Sequence, residues 1–87
     1  MRNYFFICRS ITYAQRTAKI LEHVGIGAVV TRTPRAMLFD GCSYCVRVSH
    51  DNFTNALVAL RDAGLPPARV FAQYDEPGAP GFREVCV

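Results

Sequence analysis

The chain has 87 residues, 51% of them hydrophobic and 20% charged, a composition that excludes intrinsic disorder and suffices for one domain but not two. Ten basic against seven acidic residues leave a net charge of +3, too mild to predict a nucleic-acid surface, which needs clustered cations. No apolar run approaches the ~18 residues of a membrane span, and the apolar stretch near the N-terminus is shorter than the ~7–15 residues of a secretory h-region, so the expectation is a cytoplasmic chain with no membrane and no nucleic acid among its partners.

Residues 3–8 form an apolar, aromatic-rich run that predicts a buried strand. Ser10 or Thr12 then caps a helix, with Thr12-x-x-Gln15 in capping-box form. Ala14, Ala18, Leu21 and Val24 recur at helical spacing, and Gly25 is a natural helix stop. A strand is predicted over 28–31 and another over 44–49. Asp51 is the expected N-cap of a second helix, striped by Phe53, Leu57 and Leu60 with Ala56 beside them and ended by Gly64. Pro66 and Pro67 stiffen the next turn, and 69–73 is a last strand.

Leu21-x-x-x-Gly25-Ile26 matches Leu60-x-x-x-Gly64-Leu65, so one β-α-β unit is read twice. Two such units predict an α+β, ferredoxin-like βαββαβ sandwich over residues 1–74, a four-stranded antiparallel sheet with two helices on one face. Residues 75–87 are expected to be a tail, because Pro77, Gly78, Pro80 and Gly81 argue against a regular element. Phe82, Val85, Cys86 and Val87 could still dock from it.

Cys42 and Cys45 stand three positions apart where a turn enters a predicted strand, with Arg35 before them and Arg47 after. Thiols so placed can ionise, attack sulfur, and hold a sulfur or selenium atom. The expected topology gathers the end of the first strand, the start of the first helix and the loop between the second and third strands at one pole. Cys8 should therefore lie near Cys42 and Cys45. If Val46 and Val48 face the helices, Cys45 and Arg47 face away from them, and the repeat offset places Tyr4, Phe6 and Cys8 on that open face too. A helix N-terminus with Arg9, Arg32, Arg35 and Arg47 nearby would favour a thiolate there.

Other readings stand beside this one. Cysteines also pack as small hydrophobes, which suits Cys45 and Cys8. One C-x-x-C supplies two ligands where structural zinc wants four, and His23 and His50 fall at the opposite pole, so a metal would need Cys8, Cys86 or a second subunit. A thioredoxin-type pair opens a helix, whereas this one precedes a strand. The apolar loop 36–39 is either a lid or a docking patch, and the open sheet face is a candidate homodimer surface or a resting place for the tail.

Thr33-Pro34-Arg35 … Cys42-Ser43-Tyr44-Cys45-Val46-Arg47, together with an opening strand, a Ser/Thr and a helix ending Leu-x-x-x-Gly-Ile, resembles the putative selenium/sulfur carrier protein-like family over roughly residues 3–74. The resemblance places the family cysteine on Cys42, its Thr-Pro-Arg on Thr33, Pro34 and Arg35, and its strand arginine on Arg47. Ser43 stands where the family has glycine. Cys45 occupies what looks like a small-residue position, so a two-cysteine mechanism is not implied by the resemblance. The expected function is a non-enzymatic carrier without a cofactor. Cys42 would be loaded by a donor such as a cysteine desulfurase, Arg35 and Arg47 would stabilise the anion, and Cys45 would release the cargo. The alternatives are a small-ligand or protein-binding regulatory module with structural cysteines, and a thiol metal-binding protein.

Overall fold

The structure is a computed structural model that describes residues 3–33, 44–76 and 79–85. Strand β1 (Asn3–Cys8) owes its place to its unbroken apolar run. Such a run suits a strand buried on both faces, since successive side chains point to opposite sides. Phe5 and Ile7 pack on one side and Phe6 and Cys8 on the other, none of them more than 6% exposed.

Helix α1 (Ile11–His23) starts at Ser10, whose Oγ accepts a 3.1 Å hydrogen bond from the Tyr13 backbone N–H. Ser10 rather than Thr12 is therefore the cap. The helix buries Ala14, Thr17, Ala18 and Leu21 against the sheet. Strands β2 (Val29–Arg32) and β3 (Tyr44–Ser49) follow. A 3-10 turn over His50–Asn52 then leads into α2 (Phe53–Asp62). Asp51 lies inside that turn and is not the N-cap. Asn52 occupies the cap position without a side-chain capping bond, its amide donating instead to Ser49 Oγ at 3.2 Å.

The two helices end alike. Ile26 N–H donates to Leu21 O, and Leu65 N–H to Leu60 O, each at 2.9 Å; Gly25 and Gly64 donate to Glu22 O and Arg61 O. This is the Schellman arrangement, and it needs a residue at positive φ, here Gly25 at 81° and Gly64 at 73°. Leu21 and Leu60 are fully buried one turn back. The sequence repeat is therefore a repeated helix stop with a repeated core anchor.

The last two strands are β4 (Arg69–Glu76) and β5 (Ala79–Val85). The fold is α+β, with two helices and a five-stranded antiparallel sheet in the order β2-β3-β1-β4-β5. Both helices pack on one face, over Phe6, Cys8, Val46, Val48 and Val70. Phe5, Ile7, Cys45 and Phe71 form a second apolar layer on the other face, with Phe82 against them.

The four-strand expectation and the irregular tail are corrected here. β4 runs on to Glu76, three residues past the predicted end, and β5 pairs with it from Glu76↔Ala79 to Val70↔Val85. Proline and glycine did not prevent this, because β5 is the sheet edge and only one of its sides is hydrogen-bonded. Gly81 sits opposite Tyr74, and a Cβ there would fall 2.5 Å from the tyrosine ring. Arg83 lies over the same ring at 5.5 Å. Phe82 meets Phe5 edge-to-face at 5.6 Å, and Arg69 holds Glu84 in a two-pronged ion pair at 2.8 and 2.6 Å.

Gly25→Ala and Gly64→Ala are each expected to lower unfolding stability by roughly 1 kcal/mol through the left-handed backbone alone, and additively, since the sites are separate. Nothing lies within 4 Å of a Cβ at either position. Urea titration of the single and double variants checks this.

Candidate thiol site

Pairing register places the site. Cys8 is opposite Tyr44, and Tyr44 is opposite Arg32; one step along, Ile7 is opposite Cys45, and Cys45 opposite Thr31. The ends of β1 and β2, the start of β3 and the capped start of α1 therefore meet at one pole. The Arg32 guanidinium lies 5.9 Å from the centre of the Tyr44 ring, and Arg9 is exposed between β1 and α1.

The expected faces are not all observed. Phe6 pairs with Val46 and Tyr4 with Val48, so Tyr4, Phe6 and Cys8 share the helix side with those valines. Tyr4 stacks on Phe53 at 3.9 Å, and Phe6 meets Phe53 edge-to-face at 5.9 Å. The repeat offset misplaced them because β1 pairs antiparallel with β3, and the pleat is set by this register and not by a strand's position within its own repeat. Cys45 and Arg47 do lie on the other face, as expected, in register with Ile7 and Phe5.

Cys8 and Cys45 are thus neighbours along the sheet but on opposite sides of it. Cys8 is fully buried on the helix side, where its thiol donates to Phe6 O at 3.4 Å. Cys45 is fully buried among Phe5, Ile7 and Phe71. The backbone of the sheet stands between the two sulfurs, so they do not form a common site.

Burial pushes the Cys45 thiol up to about 11, because an apolar surround disfavours the charged form. The Thr33 hydroxyl and the Arg47 charge pull the other way and are outweighed. Arg47 is exposed, two residues along the strand on the same face as Cys45. Thr33 is only 6% exposed. Two residues beyond Thr31, the cross-strand partner of Cys45, it is the diagonal neighbour of the thiol on that face. Its Oγ1 approaches the sulfur without a hydrogen bond of good geometry and has no other partner among the described residues. In the sequence Thr33 stood out only as part of Thr-Pro-Arg; its burial beside Cys45 is legible only once the β2–β3 register is known.

Cys42, Arg35, Cys86 and the apolar loop 36–39 lie outside the described residues. His23 ends α1 and His50 lies in the turn after β3, stacked on Tyr4 at 5.7 Å, both away from Cys45. Among the described residues no three His, Cys, Asp or Glu side chains form a group that could hold a metal ion. No described helix is long and apolar enough to cross a membrane.

Residues 3–72 match the family described as putative Se/S carrier protein-like. The chain belongs to that family. The match runs from the first residue of β1 into β4 and takes in both helices and both thiols of the described sheet. No curated protein and no solved structure matches the chain. The family description names a carrier of selenium or sulfur; β5 lies outside the matched residues.

Two outcomes are expected of Cys45. With the other cysteines replaced by serine, its alkylation by iodoacetamide should be slow at neutral pH and keep rising toward pH about 11. Thr33→Val should slow it further, by roughly threefold, and Thr33→Ser should restore it. The folded thiol ionises less readily than the unfolded one, so its contribution to stability is complete below pH about 9 and is lost as pH rises toward about 11. That loss is on the order of 2–3 kcal/mol. Urea titrations across this window should show a shallower alkaline decline in Cys45→Ala.

Proposed function

We propose that this protein is a stoichiometric carrier that holds sulfane sulfur or selenium on Cys42. The observation that carries the reading is the family match over residues 3–72. Two features of the sheet support it. Cys8 and Cys45 are both fully buried, which makes either a poor entry point for cargo. Thr33 and Tyr44, which flank residues 34–43, stand at the pole where Arg32, Arg9 and the N-terminus of α1 favour an anion.

Loading is a thiol exchange on sulfur. The Cys42 thiolate attacks the outer sulfur of a donor persulfide, such as that of a cysteine desulfurase. The donor leaves as a thiolate, and Cys42 carries the S–SH group. Selenium would be held in the same way as a selenenylsulfide. Arg35, with Arg47 farther along β3, is the proposed source of positive charge for the terminal anion. Release follows two routes in principle. An acceptor nucleophile can take the outer atom and return Cys42 as a thiolate. Alternatively, Cys45 can attack the inner sulfur, expelling hydrosulfide and leaving a Cys42–Cys45 disulfide. The raised Cys45 pKa and complete burial favour the first route, because the attacking species must be an accessible thiolate.

Incubation with a cysteine desulfurase and cysteine, followed by mass spectrometry under non-reducing conditions, should add ~32 Da to the Cys42 peptide, or ~80 Da with a selenium donor. Cys42→Ser should remove the adduct, and Cys45→Ser should keep it. No adduct on Cys42, under conditions that load another carrier, would overturn the reading.

A further inference from the structure

A groove outside the thiol site runs between α1 and the turn joining α2 to β4, lined by Arg16, Lys19, Ile20, Ala63 and Leu65. Its floor is apolar: Ile20 and Leu65 are half-buried and pack on the core. Its rim is basic. Arg16 and Lys19 are exposed and three residues apart, so they project from one side of the helix. Neither is engaged in an ion pair among the described residues.

The groove is held in shape. The Tyr13 hydroxyl donates to Pro66 O at 2.6 Å, tying α1 to the turn, and the Schellman bond from Leu65 N–H to Leu60 O fixes the opposite wall. The same turn returns the chain to the thiol pole, where Ala68 N–H donates to Ile7 O at 3.0 Å and Arg69 pairs with Ile7.

We propose that this groove docks an acidic segment of a partner protein, with an apolar side chain seated on Ile20 and Leu65 and flanking carboxylates on Arg16 and Lys19. Charge complementarity selects the occupant. An apolar floor rewards a hydrophobic anchor, and two exposed cations beside it reward carboxylates while suppressing basic segments. Two cations are too few for a nucleic-acid track. The inference deepens the carrier reading and rests on it, because a shuttle must meet its donor and acceptor.

The test uses the whole chain and no sulfur chemistry, so its failure and that of the loading assay are separate events. The probe is a synthetic amidated helical peptide with leucines along one face and glutamates elsewhere; its counterpart has lysine for every glutamate. Amide chemical shifts of the 15N-labelled protein should change on adding the acidic peptide, centred on residues 16–20 and 63–65. Arg16→Glu with Lys19→Glu should weaken binding by roughly tenfold and gain the lysine peptide in exchange. Raising salt from about 0.05 to about 0.5 M should weaken the wild-type complex. The same spectra report whether the variant is folded, and Ile20→Ala, which keeps both charges, should also weaken binding. Absence of binding, equal binding of the two peptides, shifts centred on the opposite sheet face, or self-association of the chain through the groove in place of peptide binding would overturn the proposal.

Discussion

The structure depends on β1 being buried on both faces. Phe5, Phe6, Ile7 and Cys8 are consecutive and none is more than 6% exposed. A strand can satisfy this only at the centre of a sheet that is covered on both sides. β3 and β4 pair with its two edges, α1 and α2 cover Phe6 and Cys8, and a second apolar layer forms around Phe5 and Ile7. Hydrophobic burial along four consecutive residues thereby dictates which elements must flank and cover this strand.

That same strand separates the thiols. Adjacent residues on paired strands alternate sides, so a one-residue offset between Cys8↔Tyr44 and Ile7↔Cys45 puts the backbone of the sheet between two sulfurs. The consequence is chemical. Cys45 sits in hydrocarbon with the buried Thr33 hydroxyl near its sulfur and a guanidinium two residues away, and burial prevails over both. A thiol held neutral in this way is protected from oxidation and exchange. The proposed carrier chemistry is for that reason assigned to a cysteine outside the sheet core.

The β4–β5 hairpin contributes Phe71 and Phe82 to the second layer. Phe82 meets Phe5, and Glu84 reaches back to Arg69, whose guanidinium lies 5.9 Å from the centre of the Phe71 ring. Arg69 holds the exposed Glu84 carboxyl below its usual range. Exposed ion pairs contribute little each, so the hairpin owes more to its aromatic contacts. Its outer strand carries Pro80, Arg83 and Glu84 at the sheet edge, a composition that discourages edge-to-edge pairing with other chains.

Local chemistry made much of this legible in advance. The apolar run of residues 3–8, a helix cap at Ser10 or Thr12, the helical stripes, and Gly25 and Gly64 as helix stops are all short-range features, and each acts through neighbours within about one turn of chain. The resemblance read from the sequence over roughly residues 3–74 named the family that matches residues 3–72. Pro80 and Gly81 misled because their meaning depends on whether the strand is central or at an edge, which no local window contains. The face on which Cys8 lies, the burial of Thr33 against Cys45, and the basic groove beside the α2–β4 turn depended on register between strands distant in sequence. With a side-chain period of two, a single step of pairing sends a residue to one side of the sheet or the other, and only the folded chain chooses the step.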